Sequence, residues 1–471
     1  MSGGYDGATK IDASLLRTAF ILVLGTFMAT LDGTIVTVGV DTLAEEFDAP
    51  VTEIHWVTTA YLLAVVAAVP ASGWLPDRFG GRRTWLAAVA VFLAGSALCA
   101  LAWSVPSLVA ARVLQGLGGG LLPPTGQALL ARVAGPHRTG RLISVVGVVP
   151  LLSPVLGPLA GGSVLAVADW RWLFLVNLPV GLAALLLARR HVPAPPPSAR
   201  GVPFDVRGAV LMSPGLALLM FGLTMYGDRA SASAPAAVLA GLAMLAGFAV
   251  HGLRTSGVPL IDPRMFARPP LGAAALALLM LGAAVFGTMF LLPLYLQSGD
   301  GLSAFQTGLL LTPQGIGAVA GSLLVQRIID ATPPRRLVLT GLALVVLGTA
   351  PFTQLADDPP YAVIAGALLV RGLGAAMIGA PVMNLVYSRI DSAHLARASG
   401  ALNLLNTVGG TVGTAVVAVI LNSRLDARGT DVPSAYADTF WWVLAFGLLA
   451  TTAAARLPGT PPAAHPPQGK R

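Results

Sequence analysis

Residues Leu15–Val40 read LLRTAFILVLGTFMATLDGTIVTVGV. The apolar residues run on without alternation, for longer than the roughly 20 residues a helix needs to cross the hydrocarbon core. Only helices and closed barrels satisfy their backbone in lipid, and a barrel strand would alternate. This stretch is therefore a spanning helix, and it holds one acid, Asp32. A cleaved leader is excluded, because the apolar run is too long and no small-residue cleavage site follows before the acidic loop.

Thirteen further stretches of the same kind follow, at 54–75, 84–104, 107–133, 141–166, 172–189, 207–226, 235–254, 268–296, 305–329, 336–355, 360–388, 397–423 and 438–457. The expected fold is an all-α polytopic membrane protein with fourteen spans. Composition agrees. Only 11% of the 471 residues are charged, mean hydropathy is +0.77 and 55% are apolar. A soluble domain carries roughly 25% charge, and a disordered chain is poor in apolar residues. The abundance of Ala, Gly and Pro, with Arg far outnumbering Lys, points to a high-GC bacterium.

The net charge of +8 does not mark a nucleic-acid binder, since the basic residues stand singly in short loops and form no patch. With the amino terminus placed in the cytoplasm, 23 of the 29 basic residues fall on the cytoplasmic side and four outside. That is the positive-inside asymmetry of a membrane protein, and it fits an even number of spans. Both termini are expected in the cytoplasm, in a bacterial inner membrane. Three charges have no loop to occupy: Asp32, Arg112 and Arg371.

A charge within a span is costly, commonly faces a cavity and often titrates. Asp32 is either a polar residue near the outer interface or a carboxylate that alternately holds a proton and a substrate. Arg112, in the span that runs inward from residue 107, lies at a similar depth. It either snorkels outward or pairs with Asp32. Gln115 is one turn on, on the same helix face. Arg371 has no acid left to pair with and is expected to meet backbone carbonyls or water. Arg112 and Arg371 each precede a Gly-rich stretch, ARVLQGLGGG and VRGLGAAMIGAP, in matching places of a weak internal repeat. Transporters built from repeats bind substrate between them. The expected organisation is a tail at 1–14, a six-helix bundle at 15–189, a linker at 190–206, two inserted helices at 207–254, a second six-helix bundle at 268–457 and a tail at 458–471.

Two further stretches stand out. The segment Gly73–Arg83, GWLPDRFGGRR, joins the second and third spans and sets Asp77 among Gly residues and arginines. It is either a topology loop or a place where Asp77 meets the positive end of a neighbouring helix. The segment GVVPLLSPVLGPLAGG, Gly147–Gly162, has small residues for close helix approach and prolines that bend. No phosphate loop, histidine cluster or nucleophile elbow is present. The single cysteine, Cys99, allows no internal disulfide.

Taken together these segments resemble the major facilitator superfamily, and within it the 14-span drug:proton antiporters, from about Leu15 to Leu457. Gly73, Asp77, Arg78, Gly80, Arg82 and Arg83 look like its loop motif. Arg112, Gln115, Gly116 and Gly118 resemble its span-four motif. Gly147, Gly157, Pro158, Gly161 and Gly162 are similar to its antiporter motif, and LDGTIVTVGV to its drug-antiporter motif with Asp32 as the acid. Thr37 and Asp41 depart from that last pattern, where Asn and Pro are usual. The second copy of the loop motif is eroded to VQRIIDATPPRR, and Thr407 and Val408 stand where Arg and Gln are frequent.

The resemblance implies a proton-coupled exporter of amphipathic drugs or antibiotics, powered by the proton gradient, with no other cofactor and no metal. It implies a monomer in the bilayer that alternates access between its halves. Asp32 and Arg112 would couple the proton, and Gln115 and Arg371 would join them in lining the substrate cavity. Asp77 would cap a helix of the second half near Ala398. A narrow exporter of a self-made antibiotic or metabolite is the alternative. A membrane enzyme or receptor would need nucleophiles or metal ligands within the spans.

Overall fold

The computed structural model describes residues 12–459, except 147–148, 195–202, 227–232, 256, 268, 330, 388–394 and 430. The described residues are helical, with short turns and no strand. The principal helices are α1 Ala13–Ile35, α2 Val51–Ala68, α3 Ala71–Phe79, α4 Gly81–Ala100, α5 Val105–Ala134, α6 Pro136–Val146, α7 Val149–Leu165 and α8 Asn177–His191. They continue as α9 Val206–Tyr226, α10 Ala234–Arg254, α11 Pro269–Leu294, α12 Ala304–Ile328, α13 Pro334–Thr349, α14 Tyr361–Tyr387, α15 Leu395–Arg428 and α16 Val432–Ala454.

Twelve helices among the described residues are long and apolar enough to cross a membrane, or thirteen if α2 and α3 count as one broken span. The expected single span at 54–75 is in fact this pair, bent by 55°. The break falls at Pro70, which has no N–H to donate and whose ring clashes with the preceding turn. The expected span at 141–166 corresponds to α6 and α7, with residues 147–148 between them outside the described set. Fourteen continuous spans are therefore more than the described helices give.

Helices α1, α2 and α4 to α8 share two apolar clusters, around Trp85 and Phe92 and around Leu108 and Phe174. Helices α11 to α16 share another pair, around Leu278 and Met377 and around Phe352 and Phe440. The inserted helices α9 and α10 add Met212, Leu216 and Phe248 to a cluster with Val66 of α2 and Ala401 of α15. They thus lean on both halves. Asp205 closes the start of α9, accepting from Gly208 N at 2.9 Å and pairing with His251 of α10 at 2.9 Å.

Glycine sets the closest approaches. In α5 a Cβ at Gly116 or Gly118 would lie 2.5 Å from Tyr61 O of α2 or Phe92 N of α4. Such backbone contact requires small residues and places α5 at the centre of the first half.

Candidate functional site: a buried carboxylate network

Asp32 lies near the end of α1 and is fully buried. Its Oδ2 accepts from Arg112 Nη1 of α5, in an ion pair between two side chains with no exposure. Its Oδ1 accepts from Gln115 Nε2 and from Asn177 Nδ2, each at 2.8 Å. A buried charge is tolerated when it is paired and its remaining lone pairs are occupied, and three donors do that here.

The surrounding groups fix those donors. Arg112 Nε donates to Val57 O at 3.1 Å, and its Nη1 also donates to Gln115 Oε1 at 2.8 Å. Its guanidinium carbon stands 4.1 Å from the centre of the Tyr61 ring, a cation–π contact. Tyr61 donates in turn to Ala29 O at 2.7 Å. Ser96 Oγ accepts from Gln115 and Asn177 and donates to Phe174 O. The Arg112 Nη2 has no hydrogen-bond partner among the described residues. Helices α5 and α8 thus meet α1 on one carboxylate, and α2 and α4 hold its donors in place.

Asp32, Arg112 and Gln115 are brought together, and Arg371 is not. Arg371 of α14 is also buried, in the second half. Its donors reach Ala284 O at 2.8 Å, Thr349 Oγ1 at 3.2 Å and Gln314 Oε1 at 3.4 Å. Among the described residues it meets one backbone carbonyl and two neutral side chains, and no acid. A cavity of about 140 Å³ lies between the halves, bordered by α5, α6, α11, α14 and α15. None of Asp32, Arg112, Gln115 and Arg371 lines it.

The loop-motif residues form a second cluster. Asp77 is buried and pairs with Arg132 at the end of α5 at 2.9 Å, and with Arg397 in the first turn of α15 at 3.2 Å. The partner it finds in the second half is thus a guanidinium one residue from Ala398. Gly73 lies against the Arg397 backbone, where a Cβ would come within 2.9 Å. Gly80 has φ +92°, a conformation that favours glycine, and it turns the chain from α3 into α4. Arg82 donates to Arg189 O, while Arg78 and Arg83 are exposed.

In the antiporter-like segment, a Cβ at Gly157 would overlap Thr34 of α1, and one at Gly161 would lie 2.8 Å from Ile35 O. These glycines let α7 press on the helix that carries Asp32. Gly162 faces open space, and Pro158 lies in α7. Gly147 lies outside the described residues.

A family model described as Major Facilitator Superfamily matches residues 22–414. The chain belongs to the Major Facilitator Superfamily. Among curated members it is 38% identical to a multidrug resistance protein B homolog of Mycobacterium tuberculosis, over 90% of this chain and 79% of that one. It is 32% identical to a cephamycin export protein of Amycolatopsis lactamdurans, over 95% of each. Among solved superfamily structures, a proton:xylose symporter superposes with a TM-score of 0.68 at 16% identity, over 93% of this chain and 95% of that one, which shows the fold. This superfamily member is a multi-span membrane transporter and not an enzyme.

Sequence reasoning missed Asn177, Ser96 and Tyr61 around the carboxylate, and Arg132 and Arg397 as partners of Asp77. Asn177 and Ser96 did carry a signal. Each is a lone polar residue inside an apolar span, where such side chains are expected to bond across helices.

Proposed function

We propose that this transporter exports amphipathic drugs or antibiotics in exchange for protons, across the inner membrane of a bacterium. In this reading it is a fourteen-span monomer with both ends in the cytoplasm, whose halves at 15–189 and 268–457 alternate access. The inserted pair at 207–254 spans beside them. The observation that carries the proton reading is the burial of Asp32 among Arg112, Gln115 and Asn177, because one protonation there rewrites the whole cluster.

Asp32 takes a proton from outside and gives it up inside. The proton removes the charge that Arg112 balances, so the protonated and ionised forms favour different arrangements of the helices around them. A ligand shifts a conformational equilibrium by its difference in affinity for the two states, and the proton is such a ligand. Asp77, paired with Arg132 of its own half, holds the basic ends of the halves together through Arg397. The glycines of α7 pass movement of α1 to the cleft. The test is uptake into inverted membrane vesicles, whose cytoplasmic face is outward. Accumulation of substrate that needs an imposed proton gradient and collapses with an uncoupler supports the reading. Accumulation indifferent to the uncoupler contradicts it.

Likeness to a cephamycin export protein favours a second reading, a narrow exporter of one self-made compound. Growth inhibition by a panel of unrelated drugs separates the two. Protection against many supports the first, and protection against one supports the second.

A further inference from the structure

Among the described residues, fifteen line the cavity between the halves, and none of those is Asp, Glu, Lys, Arg or His. Apolar side chains such as Leu281, Phe286, Met289 and Met383 make up most of its wall. Its polar side chains are Gln127 of α5, Ser144 of α6, and Asn403 and Asn406 of α15. Both acid-bearing clusters lie elsewhere. Asp32 is occupied by three donors, and Asp77 is held by Arg132 and Arg397.

The amides are only partly used. Asn403 Nδ2 donates to Gln127 Oε1 at 2.7 Å, across the interface between the halves, and to Ser399 O at 2.9 Å. Among the described residues, no hydrogen bond takes up Gln127 Nε2, Asn403 Oδ1 or the side chain of Asn406. One donor, one acceptor and a whole amide thus stand free at the wall of an apolar cavity. A polar group in such a place needs a partner, either water or a ligand. A charged ligand would enter without a counter-ion, at the cost of an unpaired buried charge. An uncharged ring with a hydrogen-bonding group loses nothing of the kind.

From this lining we infer that the cavity binds the uncharged, apolar part of its substrate, oriented by the amides of Gln127, Asn403 and Asn406, and that it discriminates against lipophilic cations. The assignment rests on the export reading above and names the substrate class of that transporter. It also ties binding to the interface, since a ligand that takes the Gln127 carbonyl competes with Asn403 for it.

The test uses the purified full chain in lipid nanodiscs, with no gradient. The neutral fluorophore N-phenyl-1-naphthylamine is the probe, and tetraphenylphosphonium the competing cation. Saturable probe binding that tetraphenylphosphonium does not displace is expected. Gly379 lines the cavity, and a Cβ there meets nothing within 4 Å. Gly379→Leu should therefore fill the space in a folded protein and weaken the probe at least roughly tenfold. Gln127→Leu should weaken it by roughly two- to tenfold, the worth of one hydrogen bond. Asn406→Asp should make tetraphenylphosphonium an effective competitor. Displacement of the probe by tetraphenylphosphonium in the unaltered protein would overturn the assignment, as would unchanged binding in a folded Gly379→Leu protein. Saturable neutral binding without gradient-driven export would leave the ligand class standing and remove the export reading instead.

Discussion

Asn177 donates from Nδ2 to Oδ1 of Asp32 at 2.8 Å, across 145 positions of sequence. It ties α8 to the end of α1 and also reaches Ser96 of α4. With Gln115 it makes the Asp32 carboxylate a junction of helices.

Replacing Asn177 by Leu leaves Oδ1 with one donor and puts an apolar group beside a buried charge. The expected loss is about 1–3 kcal/mol of stability, the cost of an unmet buried polar group. Chemical unfolding in detergent measures it. Asn177→Gln, which keeps the amide on a longer arm, should recover part of the loss.

Removal of Arg112 is expected to cost more. Arg112→Leu strands a buried carboxylate, at about 3–5 kcal/mol. In Asp32→Asn/Arg112→Leu no charge remains, so the double variant should be more stable than Arg112→Leu alone. Arg112→Lys should fail to substitute, because Arg112 binds Val57 O through Nε and Asp32 and Gln115 through Nη1. Unfolding midpoints of the unaltered protein, Asp32→Asn, Arg112→Leu and the double variant check the cycle.

Much of this was legible before any coordinates. The spans could be read because lipid demands a minimum apolar length, and that length shows in a single sequence. The Asp32–Arg112 pairing could be read because depth along a helix is a matter of counting residues. Rotation about the helix axis is another matter. A membrane helix is apolar on its lipid face and on its packed face alike, so periodicity does not say where Asn177 points. Arg132 and Arg397 were hidden among many arginines of the basic loops. Which of them meets Asp77 depends on helix packing within the first half for Arg132, and on how the halves dock for Arg397. The break at Pro70 was open to reading, since proline ends a helix wherever its missing N–H is needed, but apolar length alone joined α2 and α3 into one span.

Asp77→Asn should release the basic ends of the halves. Losing the pair with Arg397, the one of the two that crosses between the halves, is worth about 3 kcal/mol at this burial, or roughly a hundredfold in the ratio of closed to open states. Spin labels at the exposed positions Arg83 and Arg336 would report it by pulsed electron resonance. The distance distribution should move to longer values in the variant. Cys99 is buried and can stay.

The α1–α7 seam gives a contrast between two glycines. Gly157→Ala places a methyl group on Thr34 and should reduce transport sharply, with a lower unfolding temperature. Gly162→Ala meets nothing within 4 Å and should leave both near the unaltered values. Transport and thermal unfolding of the two variants, side by side, separate packing on the Asp32 helix from small-residue composition in general.

The central claim is that Asp32 carries the exchanged proton, and proteoliposomes loaded with Asp32→Asn protein test it most directly. Substrate–substrate counterflow needs alternation but no net proton movement, whereas uphill export needs a proton to be carried. Asp32→Asn protein that retains counterflow but loses gradient-driven accumulation is the predicted result. Gradient-driven accumulation at the unaltered rate would contradict the account.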